Sequence, residues 1–129
     1  MASQGFITVF RCDGLGGRAS VVRKGDDVYL CAPVADGGWI NAVVAGQLLR
    51  EANVRARIVD PERAERGDDV LYQDDQVTIS RRRDRIYASF PVEGGTMNAV
   101  VSGRLVELAQ VRVGTGDTIA EAKAGSNSA

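Results

Sequence analysis

Apolar residues along this chain alternate in short runs, and each run is closed by glycine, proline or a charged cluster. Val28, Leu30 and Ala32 share one strand face, and Ile86, Ala88 and Phe90 share another, at the period of two that marks a half-buried strand. Ala19–Arg23 and Val28–Val34 flank the polar Lys24-Gly25-Asp26-Asp27. Val77–Ser80 and Arg85–Val92 flank Arg82-Arg83-Asp84 in the same way, so two hairpins are predicted. Further strands are expected at Phe6–Phe10, Arg55–Val59, Val70–Tyr72 and Val111–Val113.

A different spacing follows each hairpin. Ile40, Val43, Val44 and Leu48 recur at helical intervals, as do Met97, Val100, Val101 and Leu105, predicting one amphipathic helix in each half. Pro33 and Pro91 would end the preceding strands, and the pairs Gly37-Gly38 and Gly94-Gly95 would turn the chain into those helices.

The two halves are copies. Gly38–Ala56 set on Gly95–Val113, an offset of 57, matches at ten of nineteen positions, where unrelated segments would share about one. With one extra residue in the first copy, Arg23, Asp26, Tyr29, Pro33 and Val34 fall on Arg81, Asp84, Tyr87, Pro91 and Val92. The expected organisation is a single domain over residues 1–116, made of fused repeats at 6–60 and 69–116 with a charged linker at 61–68. Residues 117–129 form a tail with a weak helical stretch at Thr118–Ala124 and an expected disordered end. A unit of some 50 residues buries too little surface to stand alone, so the copies should share one core about a pseudo-twofold axis. The predicted fold class is α+β, with about eight mostly antiparallel strands and two helices. At the level of fold alone, duplicated strand-rich units each carrying a helix are loosely similar to the Whirly-type single-stranded nucleic-acid-binding fold, without a shared motif.

Composition narrows the chemistry. The 129 residues are 44% hydrophobic and 26% charged, which is globular, with 16 basic against 17 acidic residues and a net charge of −1. A nearly neutral chain needs a local patch to attract nucleic acid or an anionic membrane. The lack of histidine removes Ser-His-Asp and Cys-His catalysis and His-ligated zinc. Cys12 and Cys31 have no CxxC spacing, so neither a redox motif nor a metal cage is indicated. No signal peptide or transmembrane segment is evident, and a cytoplasmic or virion-assembled protein is expected.

Three groups of residues remain as candidates. The shared Gly-Gly-x-x-Asn pattern, Gly37, Gly38 and Asn41 with Gly94, Gly95 and Asn98, would place unpaired N–H groups and an amide side chain at two helix starts, where an anion or small ligand could bind. Ala42 with Gly46, and Ala99 with Gly103, would make small patches through which the two helices meet. Arg81, Arg82, Arg83 and Arg85 form the basic cluster, at a hairpin beside Tyr87, where phosphates and bases could be held. Paired acids such as Asp26-Asp27, Asp68-Asp69 and Asp74-Asp75 read as solvated turns.

The function expected from these features is a non-catalytic protein-binding or assembly module that self-associates, needs no cofactor and no metal, and does not bind membranes. The alternatives are a single-stranded nucleic-acid binder acting through Arg81–Arg85, and a small-ligand-binding protein or histidine-free enzyme acting at Asn41 and Asn98.

Overall fold

The computed structural model describes residues 6–13, 17–33, 38–46, 49–74 and 76–116. They form ten strands in two antiparallel sheets, with no α-helix among them. Strands β1 (Phe6–Asp13), β2 (Arg18–Lys24), β3 (Asp27–Pro33) and β4 (Trp39–Ala45) run as a meander. The chain then passes through a 3₁₀ turn, Leu49–Glu51, into β5 (Asn53–Val59). The second half repeats the order with β6 (Asp69–Gln73), β7 (Thr78–Arg82), β8 (Arg85–Val92) and β9 (Gly95–Ser102), a 3₁₀ turn at Val106–Leu108, and β10 (Gln110–Gly116).

The last strand of each half belongs to the other half's sheet. The first sheet is ordered β1-β2-β3-β4-β10 and the second β5-β9-β8-β7-β6. β5 leaves its own meander to pair with β9, placing Arg57 opposite Asn98. β10 returns to pair with β4, placing Gly114 opposite Asn41. The sequence repeat is therefore not a spatial unit, since each sheet takes four strands from one copy and the fifth from the other. β1 and β6 also share a bulge at matching positions, between Thr8 and Phe10 and between Val70 and Tyr72.

These findings correct the predicted α+β class: the segments expected to be helices are strands β4 and β9. Ile40, Ala42 and Val44 alternate inward, as do Met97, Ala99 and Val101, while Val43 and Val100 point to the outer face and are buried there as well. Burial on both faces fills the polar positions of a strand with valine, and the resulting run imitates a helical stripe. Adjacent β-branched residues fit the pleat better than a helix. Gly94 and Gly95 consequently lead into an antiparallel strand. Glu93-Gly94 is the two-residue hairpin between β8 and β9, with Gly94 at φ 93°. A Cβ on Gly95 would fall 2.5 Å from the Val59 carbonyl oxygen. Without its helices, the chain also loses the basis of its likeness to a Whirly-type fold.

The core lies between the sheets. Val21, Val28, Leu30, Ile40 and Val44 of the first meet Ile79, Ile86, Phe90, Met97 and Val101 of the second. Full burial of a side chain such as Phe90 contributes about 1.5–3 kcal/mol. The two crossings pack on each other at the pseudo-axis. A Cβ on Gly46 would lie 3.1 Å from Ala109 Cα, and one on Gly103 would lie 3.2 Å from Ala52 Cα. Gly46 and Gly103 stand just beyond strands β4 and β9, and Ala42 and Ala99 face the core from within those strands. The expected helix-to-helix contact through these four residues has no helices to make it. The close approach runs instead from each glycine to the alanine that ends the opposite crossing.

Candidate functional site

Each sheet has an outer face as well as a core face, and on the second sheet the linker covers it. After β5 the chain turns at Pro61–Arg63 and runs back across β9 towards β7. Asn98 holds it in passing: its Oδ1 accepts the Glu65 N–H at 2.9 Å, and its Nδ2 donates to the Glu65 carbonyl at 3.4 Å. The same Nδ2 reaches the Ala88 carbonyl and Ser89 Oγ, both at 3.3 Å. Two residues on, the Gly67 N–H donates to Ser80 Oγ at 2.7 Å. The linker lies so close there that a Cβ on Gly67 would sit 2.3 Å from Arg81 backbone. Asn98 is thus an amide that reads a passing backbone at both its N–H and its C=O.

Asn41 occupies the matching place on the first sheet, beside Cys31 where Asn98 has Ser89. It is 6% exposed, and among the described residues its Oδ1 has no hydrogen-bond partner. Around it Tyr29, Cys31 and Val43 are also buried on this outer face. Burial pushes the Cys31 thiol up to about 12, which keeps it protonated at neutral pH. Both asparagines therefore lie in mid-strand. No helix begins at Gly38 or Gly94, so the anion site expected of Gly38, Asn41, Gly94, Gly95 and Asn98 loses the helix start on which it rested. Gly37 lies outside the described residues, as does the tail with its expected helical stretch and disordered end.

The basic cluster is largely committed to the fold. Arg81 donates through its two terminal nitrogens to the Glu107 carbonyl, at 3.2 Å, and to the Ala109 carbonyl. Its counterpart Arg23 donates to Ala52 O at 3.0 Å and Leu49 O at 2.7 Å. Each arginine thus clamps the carbonyls of a crossing turn, a charge-assisted contact stronger than a neutral one. Arg82 pairs with Asp68 at 3.0 Å, and its hydrogen bond and positive charge hold the Asp68 carboxyl below its usual range. Arg85 is exposed, and the neighbouring Tyr87 favours its charged form. Arg83 stands at the hairpin tip with φ 50°, exposed to solvent. The sequence signal for the clamp was the alignment of Arg23 with Arg81, a more telling feature than the run of arginines around Arg81.

The acidic pairs do not assemble, and among the described residues no three Cys, Asp or Glu side chains come together as a metal site. Asp74 closes the β6–β7 turn, its Oδ1 accepting the Gln76 and Val77 amides at 2.8 Å and its Oδ2 the Tyr72 hydroxyl at 2.8 Å. Asp75 lies outside the described residues. No described helix is long and apolar enough to cross a membrane.

The remaining distinctive surface is the β6 edge. β1 packs against β5 of the opposite sheet, whereas among the described residues β6 and β10 make no comparable contact across the sheets. Val70 and Leu71 of β6 are 52% and 36% exposed. The bulge is responsible, because it adds a residue to the alternation and leaves both side chains in solvent beside a strand edge. No family model matches the chain, and no curated protein and no solved structure matches it significantly.

Proposed function

We propose that the protein is a non-catalytic assembly module that binds protein partners, other copies of itself among them, through the β6 edge. One observation carries this reading: β6 presents the exposed Val70 and Leu71 at an edge that pairs with no second strand among the described residues, while the related edge strand β1 is packed against β5. Exposed apolar residues on an open edge are what a second chain can cover, by side-chain contact or by strand addition. The commitment of Arg81 to the crossing turn and the pairing of Arg82 with Asp68 support this reading over the nucleic-acid one, since both reduce the positive charge that the hairpin offers to a phosphate backbone.

Mass measured in solution over a range of protein concentrations, with and without single-stranded DNA at low salt, tests the proposal. The expected result is concentration-dependent self-association that is indifferent to the nucleic acid. A monomer at every concentration that gains mass with the DNA would replace this reading with the nucleic-acid one.

A further inference from the structure

We propose that β6 of one molecule pairs with β10 of a second copy, and β10 with that copy's β6, closing a twofold dimer along a seam that the single chain leaves open. This deepens the reading of β6 as an assembly edge and rests on it. The chain already makes one contact of this kind. β1 and β5 are edge strands of opposite sheets and pack on each other, and Val9 of β1 borders the same hollow as Val54 and Ala56 of β5. The repeat makes β6 the counterpart of β1, and β10 the counterpart of β5. With β1 and β5 on one side of the two layers, the strand orders place β6 and β10 on the other, where Arg81 of β7 reaches the turn that opens β10. Yet among the described residues β6 and β10 make no comparable contact.

Burial follows the same asymmetry. The matching bulges set Leu71 on Val9, and the offset of 57 sets Val111 and Val113 on Val54 and Ala56. Val9 is half-buried and Val54 is buried, whereas Val70 and Leu71 are exposed and Val111 is only half-buried. Apolar side chains left in this state along an edge are what a second chain covers. Charge then selects which edge the second copy offers. β6 is flanked by Asp68 and Asp69 at one end and by Asp74 at the other, so pairing it with another β6 sets acid against acid in either strand direction. β10 carries Arg112 as its only charge, and Arg112 is exposed. Symmetry allows both pairs to form at once. A twofold axis that runs along the seam between the layers exchanges them, so each sheet of one copy continues into the opposite sheet of the other. Such a contact is closed and stops at two chains.

Two single-cysteine proteins test the pairing, Leu71→Cys and Val111→Cys, each in a Cys12→Ser/Cys31→Ser background; serine already stands at Ser89, the place matching Cys31. Mixed in equal amounts and treated with a short thiol-to-thiol cross-linker, the two proteins should be joined to each other, position 71 to position 111, at least about tenfold more than either is joined to itself, because reciprocal pairing never sets like edges side by side. Sedimentation velocity of the native protein should reach a dimer and go no further. At low salt Arg112→Glu, an exposed substitution whose folding circular dichroism can check, should weaken that dimer about fivefold or more, since it acts at both seams. A predominant link between two Leu71→Cys chains, growth beyond two chains, or an Arg112→Glu dimer as strong as the native one would each overturn the reciprocal pairing while leaving β6 as an assembly edge. A native protein that stays monomeric at every concentration would overturn both readings.

Discussion

Arg81→Met separates a structural arginine from a nucleic-acid-binding one. The substitution keeps a long, flexible stem and removes the two donors that reach Glu107 O and Ala109 O. Hydrogen bonds to a charged group are worth about 1.5–3 kcal/mol each when buried, and this site is only half-buried, so a combined loss of about 2–4 kcal/mol is expected. For a chain of this size each kcal/mol moves the melting temperature by roughly 3–5 °C, and a fall of about 6–20 °C follows. The assay is thermal denaturation followed by far-ultraviolet circular dichroism, with urea unfolding to obtain the free energy. Arg23→Met, which removes the equivalent clamp on Leu49 O and Ala52 O, should fall by a similar amount. Arg83→Ala, at the exposed hairpin tip, should melt with the native protein. If Arg81→Met keeps the native melting temperature, the crossings are not held by these arginines.

Other expectations follow from the same geometry. Gly103→Val places branched atoms where a Cβ alone already meets Ala52 Cα at 3.2 Å, and overpacking there should cost about 1–3 kcal/mol in urea unfolding, whereas equal stability would show that the crossings are not tightly packed. Asn98→Ala frees the backbone of Glu65, so trypsin should cut at Arg63 or Arg66 faster than in native protein, and an unchanged rate would count against the linker's being held there. Burial works against the charge on Asp74, but the amides of Gln76 and Val77 and the Tyr72 hydroxyl together outweigh it and hold its carboxyl below the ordinary value. Because the folded value is depressed, the stability this turn adds is present above pH about 4 and is lost as the pH falls below it. Asp74→Ala should therefore flatten that part of the acid unfolding curve, and an unaltered curve would refute the assignment.

Much of this architecture is written locally in the chain. The eight segments expected as strands are strands, because Val28-Leu30-Ala32 and Ile86-Ala88-Phe90 alternate against polar turns. Strands β4 and β9 were illegible as strands for a physical reason. Val43 and Val100 are buried on the outer face by something other than the core, and periodicity cannot distinguish a strand covered on both faces from a helix. The exchange of β5 and β10 between sheets was equally hidden, since a strand's own residues do not name the edge it joins. At the candidate site, Asn41 and Asn98 stood out through their repetition, yet the role of Asn98 depends on Glu65, which carries no repeat signal. The difference between Ser89 and Cys31 at matching positions was visible, and it becomes meaningful only once Ser89 is seen to bond Asn98, the residue that holds the linker.

The claim that most needs testing is that β6 is an assembly edge. Sedimentation velocity over a hundredfold range of concentration, on native protein and on Val70→Lys/Leu71→Lys, addresses it directly, because charges on a strand edge block pairing without touching the core. The account predicts that the native protein shifts to a larger species as concentration rises, and that the doubly substituted protein stays monomeric with its circular dichroism unchanged. Association of the same strength in both proteins would contradict it.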